Sequence, residues 1–171
     1  MEHDLDHVGR IMAQWHRERP DLDVSPQGVI GRLHRLAETL ADELAAVYAQ
    51  FGLGAGEFDV LATLRRSGAP YELAPGALAA STMVTSGAVT KRVDRCVEQG
   101  WVTRRPSEHD ARGRVVALTP SGLELIDRAF DAHMANEHRL LSGLSDLERT
   151  RLAALLELLG RRLDDLTRAD G

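Results

Sequence analysis

The feature that most restricts what this chain can fold into is a change of period after residue 100. Helical spacing gives way there to two short runs rich in β-formers, WVTRR (101–105) and RVVAL (114–118), separated by the polar PSEHDARG (106–113). Gly100 stands immediately before the first run, where a glycine commonly ends a helix. The pattern predicts a helix over about Thr85 to Gln99, a glycine stop, and a hairpin with a long tip.

The flanks read as helices. Leu5, Val8, Ile11, Met12 and Trp15 recur at helical intervals up to Arg19-Pro20. Ser25-Pro26 predicts an N-cap with proline at the first helical position, opening a long helix with Val29, Leu33, Leu36, Leu40, Leu44, Val47 and Phe51 on one side and Gly52 and Gly54 beyond it. Glu57 to about Arg66 predicts a third helix, with Phe58, Leu61 and Leu64 inward and Asp59 on its polar side. SGAPYELAPG (67–76) is a turn-rich connection to a short helix around Ala77 to Ala80. Thr119-Pro120 repeats the cap-and-proline signal and starts a helix reaching about Leu141; Ser145-x-x-Glu148 is a capping box opening the last one. There Leu152, Leu155, Leu156, Leu159, Leu163 and Leu166 form a stripe. So apolar a face needs a partner; that partner could be the chain's own core, but such stripes at both chain ends around a small central domain favour a helical homodimer interface.

A net charge of -5 over 171 residues argues against a polyanionic partner, but the charge is unevenly placed. Residues 84–116 hold seven basic against four acidic side chains, +3, which leaves -8 for the remainder. With Val89 at zero on a helical wheel, Val93, Cys96 and Val97 fall within about 80°, while Lys91 and Arg95 lie at about 200° and 240°. Valines are buried and cations presented. Gly87 and Ala88 also point outward and leave room for close approach to a surface. The order helix, turn, helix, hairpin is that of a winged helix-turn-helix, whose second helix reads the major groove while the wing reaches backbone or minor groove.

The stretch LAASTMVTSGAVTKRVDRCVEQGWVTRRPSEHDARGRVVALTPSG (78–122) resembles the DNA-binding core of the MarR family of bacterial transcription regulators. The motifs that carry the likeness are VTKRVDR, the Gly100 turn, D-x-R at Asp110 to Arg112, and Leu-Thr-x-x-Gly at Leu118 to Gly122. The resemblance implies that Arg112 enters the minor groove with Asp110 helping to hold it. It further implies that Ser86, Thr90, Lys91 and Arg95 contact DNA from the recognition helix and that Arg114 supports the wing.

Arg92 lies at about 300° on the wheel, beside the buried face, and so needs a counter-charge, water or an anionic ligand. Together with the extra N-terminal helix, RPDLD (19–23) and FDVLATLRR (58–66), this arginine resembles the urate-responsive branch of the same family. That likeness implies that Trp15 stacks on a ligand, Arg92 binds its charge and Asp59 contacts it or is repelled. Ser67 stands where that branch commonly has asparagine; its hydroxyl would be the hydrogen-bonding group there. An ion pair between Arg92 and Asp59, a bridge from Asp59 to Arg66, and plain packing of Trp15 are the competing structural readings.

Cys96, the single cysteine, faces inward and reads as packing rather than a redox switch, and it excludes a disulfide framework or a cysteine zinc site. His3 and His7 lack a third metal ligand. No signal peptide, membrane span, phosphate loop or nucleophile elbow is recognisable, so an enzyme, a membrane partner and a cofactor are not expected and the location is expected to be cytoplasmic. The reading is therefore a mainly α winged helix-turn-helix homodimer. Residues 1–52 form N-terminal helices for dimerisation and part of a ligand pocket, 53–119 the DNA-binding domain, and 120–171 the C-terminal dimerisation helices. Its expected function is that of a repressor released from an inverted-repeat operator on double-stranded DNA by a small anionic effector, urate-like or a carboxylate. A constitutive regulator without a ligand and a winged-helix protein-interaction module share these features.

Overall fold

The computed structural model describes residues 5–82, 89–106 and 114–169. The elements run α1 (His7–Glu18), α2 (Gln27–Ala49), α3 (Ala55–Arg66), β1 (Glu72–Leu73), α4 (Pro75–Ser81), α5 (Val89–Glu98), β2 (Val102–Pro106), β3 (Arg114–Leu118), α6 (Pro120–Leu140) and α7 (Asp146–Ala169). The mainly α class and the winged arrangement hold: helix, short helix, helix and hairpin follow in the expected order. Ser86, Asp110 and Arg112 lie outside the described residues.

One core organises the winged unit. Val60, Leu61 and Leu64 of α3 are fully buried, together with Leu78 of α4 and Ile126 of α6, and Val93, Cys96 and Val102 join them from α5 and β2. Tyr48 and Val47 at the end of α2 reach the same core, so the long helix is anchored at its C-terminal end. Asp59 departs from its expected solvent-facing position: it is buried, because α3 is enclosed on nearly every side. Val97 departs in the other direction and is 37% exposed.

The sheet has the order β1-β3-β2, with both pairings antiparallel. β1 lies within the segment expected to be only a connection. Two residues carry no period, and it is the free edge of β3 that makes Glu72 and Leu73 a strand, opposite Ala117 and Val116.

Capping follows the sequence at three of four sites. Gly100 adopts φ +72°, donating its N–H to the Val97 carbonyl at 2.9 Å while Trp101 donates to Cys96 at 2.9 Å, the double closure of a Schellman stop. The Thr119 hydroxyl accepts the Gly122 N–H at 3.0 Å and donates to the Gly100 carbonyl at 2.8 Å. Ser145 and Glu148 exchange their capping contacts at 2.8 and 3.4 Å. The expectation for Ser25 fails: α2 starts at Gln27 after a helical Pro26, and the Asp23 carboxylate accepts the Ser25 N–H at 2.9 Å instead.

α1 packs against the N-terminal half of α2. Asp6 caps it by accepting the Gly9 N–H at 2.7 Å and pairs with Arg32 at 2.8 Å, so one carboxylate both starts the helix and ties it down. The apolar stripes of the two long terminal helices remain uncovered: Val29, Ile30 and Leu36 of α2 and Leu155 and Leu166 of α7 are each more than half exposed. No residue of α7 is buried. Among the described residues no helix is long and apolar enough to cross a membrane.

Two outcomes are expected from this packing. A Cβ added at Gly122 would stand 1.9 Å from the Trp101 carbonyl oxygen, so Gly122→Ala should destabilise the fold by about 1–3 kcal/mol, seen as a lower urea midpoint at unchanged slope. Burial, and secondarily the Glu57 carboxylate, pushes the Cys96 thiol up to about 12. The folded state thus holds a proton that the unfolded chain releases above its ordinary 9.0, and stability falls by up to about 1.4 kcal/mol per pH unit between those values. Alkaline denaturation should be shallower in Cys96→Ala, and a thiol reagent at neutral pH should label Cys96 only after unfolding.

Candidate nucleic-acid interface

α5 divides its side chains as an amphipathic helix must. Val89, Val93 and Cys96 are buried, which turns Thr90, Lys91 and Arg95 to solvent. These three expected contacts therefore share the exposed side of one helix, and Arg114 is exposed at the start of β3, paired in register with Pro106 at the other limb of the wing.

The cations of this region fall into two groups. Among the described residues, no hydrogen bond or ion pair holds the Lys91 or Arg114 side chains. Arg104, Arg105 and Arg95 each face a carboxylate. Arg104 of β2 pairs with Asp94 of α5, fastening wing to helix. Arg105 pairs with the largely buried Glu72 of β1, tying together strands that flank β3. The Nη1 atom of Arg95 lies 3.8 Å from Oε1 of Glu57, a buried carboxylate whose Oε2 accepts the Gly54 N–H at 2.9 Å. Glu57 was not singled out in the sequence; its position three residues beyond a glycine at a helix start is the signal that marks it as a capping acid.

The expected ligand residues separate. Arg92 lies across α3 at Gly56: a Cβ there would come 2.3 Å from Nε, so only glycine admits the guanidinium. Its Nη1 is buried without a hydrogen-bond partner, as are Oδ2 of Asp59 and Oγ1 of Thr63 on α3. Arg92 and Asp59 make no ion pair among the described residues, and Arg66 donates to the Ser81 carbonyl rather than bridging to Asp59. Ser67 is exposed and its hydroxyl donates to Leu64 at 2.7 Å.

Trp15 stands apart, 45% exposed. α1 runs antiparallel to α2, with Val8 against Gly31 and Met12 against Gly28, and Trp15 follows one turn further on. Tyr48, which stacks on Phe58 at 4.1 Å beside Asp59, is twenty residues along α2 from Gly28, about 30 Å at the helical rise. Within one chain Trp15 and Asp59 do not share a site.

Asp59 instead lines a cavity of about 380 Å³ between α2, α3 and α6, with Tyr48, Phe58, Phe130, His133 and Glu137 among its walls. The Tyr48 hydroxyl and His133 Nδ1 are 3.3 Å apart, and His133 Nε2 is 3.2 Å from Glu137. Sequence reading did not find this group. His133 and Glu137 are four apart on the side of α6 that carries Phe130, a polar pair bordering apolar surface, which is the trace they leave in the sequence.

Comparison with known proteins fits this geometry. The sequence model of the MarR family matches residues 51–113. The chain is 42% identical over 156 residues to the HTH-type transcriptional regulator PecS of Dickeya dadantii (strain 3937), covering 91% of this chain and 94% of PecS. It is 30% identical over 135 residues to the multiple antibiotic resistance protein MarR of Salmonella typhimurium, covering 78% of this chain and 90% of that protein. A crystal structure of an Escherichia coli MarR variant in complex with operator DNA superposes with a TM-score of 0.68 at 27% identity, over 81% of this chain and 99% of that one. These relatives are regulators rather than enzymes, and an exposed basic recognition helix beside a three-stranded wing is what such a regulator requires. The chain belongs to the MarR family of DNA-binding transcriptional regulators.

Proposed function

We propose that this protein is a homodimeric repressor that holds an inverted-repeat operator and is released by a small anionic metabolite. The observation that carries the DNA part is the exposed side of α5, where Thr90, Lys91 and Arg95 stand opposite the buried valines. With Arg114 at the wing, and with Ser86, Asp110 and Arg112 by resemblance, they form the reading surface of residues 53–119. Dimerisation is supported by the uncovered apolar sides of α2 and α7, within residues 1–52 and 120–171; burying one leucine contributes about 1.5–3 kcal/mol. A two-fold particle reads two-fold DNA, with recognition helices about 34–36 Å apart.

The effector part rests on the three orphaned polar atoms of Asp59, Thr63 and Arg92. Leaving a buried polar group unpaired costs about 1–3 kcal/mol, so a ligand that satisfies them is bound with that strain relieved. An aromatic acid would lie against Phe58 and Phe130 in the cavity and crowd Asp59 on its wall, while Arg92, which lies across α3 at Gly56 and is not one of the cavity walls, would turn toward the acid's charge. Because Arg92 belongs to the recognition helix, its displacement moves Lys91 and Arg95. A coupling of about 1–3 kcal/mol would weaken operator binding some 5- to 150-fold. Trp15 takes part in this site only if a second subunit brings it there, since its own cavity is out of reach.

Selection of duplexes from a random pool with the full chain should recover an inverted repeat, with affinity falling steeply as salt rises. Lys91→Ala should weaken binding to all sequences and reduce the log–log salt slope by about 1 per subunit. Binding indifferent to both sequence and salt would reject the regulator reading for this surface. For the effector, thermal melts against urate, xanthine, citrate and aconitate should show at least one anion raising the midpoint by about 5–10 °C at a hundredfold excess over its Kd. That shift should vanish in Arg92→Ala. A melt unmoved by any of the four, or a shift that survives Arg92→Ala, would favour a constitutive regulator.

A further inference from the structure

We infer that Glu57 is a positioning residue that restrains Arg95 and thereby sets how tightly the recognition helix holds DNA. The inference rests on the reading of α5 as the DNA-contacting helix. Lys91 and Arg95 are four residues apart on the same exposed side, yet only Arg95 faces a carboxylate, with Nη1 3.8 Å from Oε1 of Glu57. The two partners differ in freedom. The Arg95 side chain is 60% exposed, whereas that of Glu57 is 10% exposed and its second oxygen is tied at 2.9 Å to the Gly54 N–H. Glu57 cannot swing away without uncapping α3, so any rearrangement falls to the arginine.

A phosphate approaching Arg95 therefore competes with a fixed negative charge already in place. A guanidinium shared between a buried carboxylate and a phosphate releases less than one counterion's worth of binding, while unrestrained Lys91 contributes its full share. At 3.8 Å the pair is a charge contact without a hydrogen bond, so Glu57 biases where the guanidinium lies without locking its orientation. The result is a weaker overall affinity for the DNA backbone.

The test uses the full chain with a random-sequence duplex of about 30 base pairs, three helical turns, in a potassium chloride series. In the wild type, Lys91→Ala should lower the salt slope by about 1 per subunit and Arg95→Ala by clearly less. Glu57→Gln keeps an oxygen to accept the Gly54 N–H but removes the charge; it should tighten DNA binding about 3- to 10-fold and steepen the slope. In that background Arg95→Ala should cost as much slope as Lys91→Ala does. Three results would overturn the inference. One is equal slope losses for Lys91→Ala and Arg95→Ala in the wild type, which needs no Glu57 variant to fold. Another is a folded Glu57→Gln protein with unchanged affinity and slope while Lys91→Ala still weakens binding, which leaves the DNA reading intact. If neither Lys91→Ala nor Arg95→Ala alters binding, the DNA reading fails and takes the inference with it.

Discussion

The packing of α5 against α3 is the constraint from which the rest of the molecule follows. Val89, Val93 and Cys96 join Leu61 and Leu64 in one core, and the helical period then leaves Thr90, Lys91 and Arg95 no place but solvent. The same contact brings Arg92 over Gly56 and Arg95 beside Glu57. Apolar burial that stabilises the domain thus also sets the orientation of its cations. A substitution that rotates α5 by one position would lose the core and the reading surface together.

Around that core the protein leaves two kinds of requirement unmet within one chain. Apolar sides of α2 and α7 stand in water, and polar atoms of Asp59, Thr63 and Arg92 stand out of it. Both are the reverse of what a self-sufficient domain does. On the proposed function the first would be met by a second subunit and the second by a small anionic molecule. The orphaned atoms belong to α3 and α5, the two helices whose packing orients the exposed cations, so on that reading a ligand there would act on the DNA-contacting helix directly.

Much of this was legible in the sequence where local chemistry decides the outcome. The Gly100 stop, the Thr119 and Ser145 caps and the burial of Val89, Val93 and Cys96 on α5 are short-range effects, and each forms as its residues predict. Legibility failed where distant parts of the chain decide. β1 exists because β3 offers an edge, and Asp59 is buried because other elements close over α3. Ser25 does not cap α2 because Pro26 is already helical and takes the N-cap position, which the dipeptide alone does not reveal. The grouping of Trp15 with Asp59 and Arg92 came from resemblance, and a resemblance does not say whether residues meet within one chain. Glu57 was missed because a capping acid is an ordinary residue until its other oxygen proves to face an arginine.

Gly122 at the root of α6 lies so close to the Trp101 carbonyl that no side chain fits between them, and Thr119 stitches the same point to Gly100. β2 and β3 therefore meet the start of α6 at a single seam. Chimaeras that exchange reading heads between members of this family should carry residues 100–122 as one piece. A crossover placed inside that interval would join two backbones whose clearances were fitted to different partners.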